Sequence, residues 1–240
     1  MAHTPQQILE ITEEIKASLE AMSDPFRKQK AESYAPTSME MLGVSNPDVQ
    51  QVVREVHNTH REQSPAFFID LARALVGTGI FECQHLAWSL FDKKHRLLEA
   101  LQYADLEYLR GTLDNWASVD AFGTVIYGWM WRHGKIPDQE VYALQESGDV
   151  WTRRLALVGC VALNTRSRGG TGDAGRTLRV CNRAVSDHED MIVKALSWAL
   201  RSLIYWDSEG VREFLDQHNG QLARRVIREV QHKLDHGTKN

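Results

Sequence analysis

The sequence predicts an all-α protein, and three observations carry that prediction. Apolar residues recur at spacings of three and four along most of the chain. No segment shows the strict apolar–polar alternation of a half-buried strand, and no Asn-Gly hairpin signal occurs. One helical pattern also repeats after 41 residues, when "DVWTRRLALVGCVAL" from Asp149 is laid over "DMIVKALSWALRSL" from Asp190. A period near 40 residues suits HEAT-like antiparallel helix pairs, which stack into a curved solenoid with a concave face.

The elements follow in chain order. "QILEITEEIKASLEAM" sets Ile8, Ile11, Ile15, Leu19 and Met22 on one stripe, so residues 1–24 are expected to hold a leading helix. "PDVQQVVREVHNTH" opens with Pro47 after Asn46, a cap followed by a proline suited to the first helical turn. "SPAFFIDLARALV", "FECQHLAWSLFDKK", "DLEYLRGTLDNW", "WTRRLALVGCVAL", "MIVKALSWALRSL" and "LARRVIREVQHKL" each read as a helix, and "FECQHLAWSLF" fits the repeat template less closely. The expected organisation is one HEAT-like-repeat domain over residues 1–240, with 237–240 as a frayed tail.

"RSRGGTGDAGR", residues 166–176, interrupts the periodicity and contains a literal G-x-G-x-x-G at Gly170, Gly172 and Gly175. A dinucleotide site would need a strand before these glycines and a βαβ unit around them, and the preceding run has helical spacing. The segment therefore reads as a flexible loop between two helices.

Composition bounds the function. Hydrophobic residues at 42% and charged residues at 25% are those of a soluble globular domain. No window approaches 18 uninterrupted apolar residues, and Glu10, Glu13 and Glu14 stand where an export signal needs basic and then apolar residues. Cys83, Cys160 and Cys181 have neither paired nor metal-like spacing, which fits a reducing, cytoplasmic setting. His57 and His60, three apart, do not make a metal site, so no metal and no cofactor are expected. The net charge of −4 is unevenly placed: residues 1–150 carry 13 Lys and Arg against 22 Asp and Glu, and residues 151–240 carry 15 against 10. The basic second half is a candidate surface for a polyanion.

The candidate chemistry lies in "DNWASVDAFG", residues 114–123. Asp120 follows Trp116 by four residues, so on a helix the carboxylate and the indole project side by side. A core accepts the indole but not an unpaired charge. From the residues alone, Trp116 and Trp198 serve equally as core aromatics. Asp120 serves as a cap or an ion-pair partner, Arg153 and Arg154 as solvated or paired cations, and Tyr34 as a packing residue.

Four blocks add a resemblance: "YAPTSMEMLGV" from Tyr34, "NWASVD" ending at Asp120, "WTRRLAL" from Trp151 and "IVKALSWALR" ending at Arg201. Together they resemble the DNA alkylation repair family of alkylpurine DNA glycosylases, in order and approximate spacing over about 170 residues. The resemblance implies an all-helical fold of HEAT-like repeats and removal of N3- and N7-alkylated purines from duplex DNA. It also implies recognition of the lesion without extruding the base. It assigns catalytic roles to Trp116 and Asp120, a cleft position to Trp198, an active-site arginine to Arg154 and a duplex-facing aromatic to Tyr34. Arg153, Lys194 and Arg201 join them as candidate DNA contacts. The sequence departs from some members at Asp190 and Met191, where those carry aromatics. The expected protein is a cytoplasmic monomer acting in base-excision repair. The alternative is a non-catalytic HEAT-like scaffold that holds a DNA structure or a protein partner.

Overall fold

The computed structural model describes residues 3–238. Among them the secondary structure is helical, with no β-strand and a lone bridge between Glu40 and Ile80. The chain is all-α, as its periodicity predicts. It clusters into two compact units, one ending at Ile126 and the other beginning at Tyr127.

In the first unit, α1 (Pro5–Ala21) is started by a capping box. Thr4 accepts from the Gln7 amide and the Gln7 side chain accepts from the Thr4 amide. Its stripe buries Ile8, Ile15 and Leu19 against α4 (Pro65–Gly77) and α5 (Phe81–Ser89), with further packing on α3 (Asn46–Thr59). Between α1 and α3 lies α2 (Pro25–Tyr34), which buries no side chain and ends one residue before Ala35, itself followed by Pro36. Short helices α6 (His95–Ala100) and α7 (Asp105–Leu109) pack on α4, and α8 (Trp116–Phe122) packs on α5.

"DLEYLRGTLDNW", expected as one helix, is broken after α7. Gly111 sits at φ +58°, and a Cβ there would lie 2.0 Å from the Gln84 side-chain oxygen. Buried Gln84 clamps the break by accepting from the Thr112 amide and donating to the Thr112 carbonyl. The Trp88 indole donates to the carbonyl of Leu109 at 2.7 Å. The new helix starts at Trp116 because Asn115 accepts from the Ser118 amide as its N-cap. A π-helical stretch, Gly123–Tyr127, follows α8.

The second unit begins with α9 (Gly128–Arg132), α10 (Asp138–Ala143) and a 3-10 turn at Leu144–Glu146. Its centre is α11 (Val150–Asn164), capped by Asp149 and buried from Arg154 to Asn164. Against α11 pack α9, α12 (Ala174–Arg183) and α13 (Asp190–Leu203), and α13 in turn carries α14 (Ser208–His218) and α15 (Arg224–His236). Gly237, at φ +73°, ends α15. Lys239 and Asn240 of the expected tail lie outside the described residues, as do the first two residues of the leading segment.

The glycine-rich segment is a tightly bonded cap on the end of α11. Gly170 and Gly172 donate to the carbonyls of Thr165 and Leu163 at 2.9 and 3.2 Å. A Cβ on Gly170 would meet the Thr165 nitrogen at 2.6 Å, and Gly172 (φ +84°) lies against the Trp206 ring. The Trp206 indole donates to the Asn164 carbonyl, and the Asn164 side chain accepts from the Asp173 amide. The glycines are there because backbone approaches backbone and indole too closely for any side chain.

Candidate functional site

Trp116 is the first residue of α8 and remains partly accessible. Its indole N–H donates to the Tyr34 carbonyl at 3.2 Å, and the two rings meet edge to face with centroids 5.1 Å apart. Edge-to-face contact places the positive rim of one ring on the negative face of the other. Tyr34 is itself 72% exposed, so the pair presents aromatic surface to solvent. Asp120, one turn further along α8, is partly buried, and its carbonyl accepts from the Thr124 hydroxyl at 2.7 Å.

The pair is held by residues the sequence did not single out. Asp114 accepts from the Thr37 hydroxyl at 2.7 Å, the Ser38 amide at 2.6 Å and the Asn115 side chain at 3.1 Å. Burial pushes its carboxyl up, but the bonds from Ser38, Thr37 and Asn115 outweigh that and hold it below the usual carboxylate range. Asp114 thus ties the segment after Tyr34 to the start of α8. Deeper in, Glu82 on α5 is 5% exposed and accepts from three consecutive amides, Leu42, Gly43 and Val44. Gly43 (φ +80°) is required there, since a Cβ would lie 2.4 Å from the Asp24 carbonyl oxygen. "YAPTSMEMLGV" is therefore an anchored connection whose tyrosine reaches Trp116. His85, also on α5, sits between the tilted rings of Phe81 and Trp88 and lies 3.4 Å from the Ser118 hydroxyl; burial depresses it to about 4, so it is neutral.

In the second unit, Arg154 is 4% exposed and donates to the Met191 carbonyl. Its neighbour Arg153 pairs with Asp187 at 2.8 Å and donates to the carbonyls of Ser147 and Gly148. Lys194 pairs with Asp190 at 2.6 Å, and Asp190 also reaches Arg225 at 3.5 Å. Met191 and Asp190 are thus respectively an anchor for Arg154 and an acceptor for two cations. Arg201 bonds back to Ser197 and lies 3.7 Å from Glu229. Burial pulls its guanidinium down, opposed by the charge of Glu229. Trp198, between them on α13, is partly accessible and lines a cleft of about 610 Å³ with Arg166, Arg201, Tyr205 and Lys233. Among the described residues no group of three His, Cys, Asp or Glu side chains is arranged to hold a metal. No described helix is long and apolar enough to cross a membrane.

Comparison with known families then decides the kinship: the family model for the DNA alkylation repair enzyme matches residues 15–234. The chain belongs to that family. The match spans all four blocks that carried the resemblance and runs from the second half of α1 to the last turn of α15. A solved structure, a predicted DNA alkylation repair enzyme from Enterococcus faecalis, shares the fold of this DNA alkylation repair family member with a TM-score of 0.68. The two chains are 19% identical over 88% of this chain and 95% of that one. No curated protein matches the sequence. At 19% identity the likeness is one of architecture, which the helical periodicity of the sequence predicts independently.

The sequence-derived candidates are not equivalent once placed. Trp116 and Tyr34 are brought into contact, with Asp120 one turn away on the same helix. Arg154, Arg153, Lys194 and Arg201 each have a carbonyl or carboxylate partner within the second unit. The roles of Asp114 and Glu82 are not legible in the sequence, because their partners stand 76 and about 40 residues away in it. The only local signal for Asp114 was its place beside the capping Asn115.

Proposed function

We propose that this protein is a monofunctional DNA glycosylase that removes cationic N3- and N7-alkylated purines from duplex DNA. The observation that carries the reading is the exposed aromatic pair Tyr34–Trp116 with a carboxylate, Asp120, one turn from the indole, in a chain that belongs to the DNA alkylation repair family.

The chemistry follows from the substrate. An N3- or N7-alkylated purine carries a formal positive charge, so the base leaves as a neutral molecule once its bond to C1′ breaks. Positive charge then develops on the sugar, and a water oxygen must form the new bond to C1′ while a proton is lost to solvent. A carboxylate held beside the sugar stabilises that charge and orients the water, and Asp120 is the group assigned to it. Indole faces attract the cationic base, each contact contributing about 0.5–2 kcal/mol. Trp116 and Trp198 take that role, with Tyr34 packing against the duplex. Arg154, buried and anchored on Met191, supplies a fixed positive charge for a backbone phosphate. Arg153, Lys194 and Arg201 add to the basic field, each partly offset by its own carboxylate. The leaving group needs no reduction or oxidation, so the reading asks for no cofactor. It has the protein acting as a cytoplasmic monomer in base-excision repair, its three cysteines buried and reduced.

The test is release of N7-methylguanine or N3-methyladenine from methylated duplex DNA. Asp120→Asn is expected to keep helix content and DNA affinity and to lose on the order of 10²-fold in rate, the usual effect of removing one preorganised charge. DNA binding without any base release by the native protein would leave the scaffold reading in its place.

A further inference from the structure

The cleft beside Trp198 contains a charge arrangement that the family resemblance did not assign. It is lined by Arg166, Arg201 and Lys233 together with Tyr205, Trp198 and the polar side chains of Asn164, Thr165, Ser167 and Ser202. Among the described residues no carboxylate lines it. Arg201 is largely neutralised by Glu229, which also accepts from Ser197 and pairs with Arg225 at 2.8 Å. Arg166 and Lys233 differ. Neither has a carboxylate within ion-pair distance among the described residues, whereas Arg153, Arg176, Arg183, Lys194, Arg212 and Arg225 all do.

Arg166 is also ordered. Its guanidinium lies 4.8 Å above the Tyr205 ring and donates to the Tyr205 hydroxyl at 2.9 Å. Tyr205 is 65% exposed and stands edge-on to Trp206, with ring centroids 5.0 Å apart. Trp206 is in turn held by Gly172 and the Asn164 carbonyl. The glycine-rich cap thus fixes the rim of a cleft and presents a cation on it. A guanidinium pinned this way has lost most of its rotamer freedom before a ligand arrives, which lowers the cost of binding.

We propose that this cleft is a second backbone-phosphate site, in which Arg166 and Lys233 hold a phosphodiester of the DNA that flanks the damaged nucleotide and Tyr205 positions Arg166. The proposal rests on the DNA-binding part of the reading above and deepens it. A phosphodiester fits better than an acidic peptide because the cleft also contains Trp198, the indole assigned above to the damaged base, whose ring face suits a nucleotide.

The experiment is the salt dependence of binding to an unmethylated duplex, followed by fluorescence anisotropy, with base release from methylated DNA measured in parallel. Each phosphate contact contributes about 0.9 to the slope of log affinity against log salt. The double variant Arg166→Gln/Lys233→Gln is expected to lower that slope by nearly two, with helix content and melting temperature retained. Tyr205→Phe, which removes the acceptor but keeps the ring, is expected to lower it by less than one. Arg54→Gln/Arg96→Gln, a matched loss of two exposed cations elsewhere, is expected to leave the slope unchanged. An unchanged slope in the cleft variant, or an equal fall in the matched control, overturns the proposal. If native protein releases methylated base while the cleft variant keeps its slope, this site fails and the glycosylase reading stands. If native protein releases none while the slope falls, the glycosylase reading fails and this site stands.

Discussion

Glu82→Gln isolates the contact that anchors the connection leading from Tyr34 into the core. The native carboxylate, 5% exposed, accepts from the amides of Leu42, Gly43 and Val44 at 3.0, 2.7 and 3.2 Å. Glutamine keeps the volume, but it has one acceptor oxygen and turns an N–H₂ toward one of three N–H donors. A hydrogen bond to a charged group contributes about 1.5–3 kcal/mol and a neutral one about 1 kcal/mol. Weakening two bonds and losing the third therefore costs about 3 kcal/mol. That corresponds to exchange of the three amides roughly 10²-fold faster, if opening of this segment limits their exchange. Site-resolved hydrogen exchange reads these amides directly. Urea unfolding followed by circular dichroism reads the total, with a midpoint lower by about 1.5 M for an m-value near 2 kcal/mol/M. Exchange at residues 42–44 as slow as in the native protein would refute the reasoning, because the carboxylate would then not be their partner. A lowered midpoint with unchanged exchange at these amides would refute it as well, since the loss would lie elsewhere.

The remaining expectations concern the glycine cap, the histidines and the aromatic pair. Gly170→Ala places a Cβ within 3 Å of the backbone of Ala162, Leu163 and Thr165 and is expected to cost about 1–3 kcal/mol in thermal unfolding, where an exposed glycine such as Gly220 should tolerate alanine. His85 is neutral in the folded protein down to about pH 4 and takes up a proton near 6.5 when unfolded, so its contribution is complete above pH 6.5 and is lost as pH falls toward 4. Stability should drop by about 2 kcal/mol between pH 7 and 5. Burial lowers His57 and His60 in the same direction, and His85→Gln should flatten part of the dependence; urea midpoints at the two pH values measure it. Trp116→Ala removes both the edge-to-face contact and the bond to the Tyr34 carbonyl, and base release from methylated DNA should fall at least tenfold, against a much smaller change for Trp116→Phe.

The sequence alone determined the helical class, because a 3.6-residue apolar period is a local property that survives any arrangement of the helices. The starts of α1, α3, α4 and α11 are equally local, since Thr4, Ser45, Ser64 and Asp149 each cap the amide three residues on; for α3 the cap is Ser45, one residue before the expected Asn46, which is already the first helical residue. The sequence also placed Trp116 and Asp120 one turn apart, and its four spaced blocks pointed to the family that the match over residues 15–234 then established. It did not reveal the break at Gly111, whose cause is the side chain of Gln84, 27 residues earlier and opposed to it only after folding. The glycine-rich segment looked like a flexible loop because its partners, Trp206 and the last carbonyls of α11, are brought to it by tertiary packing. Charge was legible as a total and not as a pattern. Arg153, Lys194 and Arg201 are candidate DNA contacts in the sequence, yet each meets a carboxylate on its own helix or on a neighbouring segment. Arg166 and Lys233, 67 residues apart in sequence, became neighbours on one carboxylate-free cleft only through the packing of α13 against α11 and α15. Whether a cation is spent on an internal partner or left for a ligand depends on distances of a few ångströms between segments, and only the tertiary structure decides those.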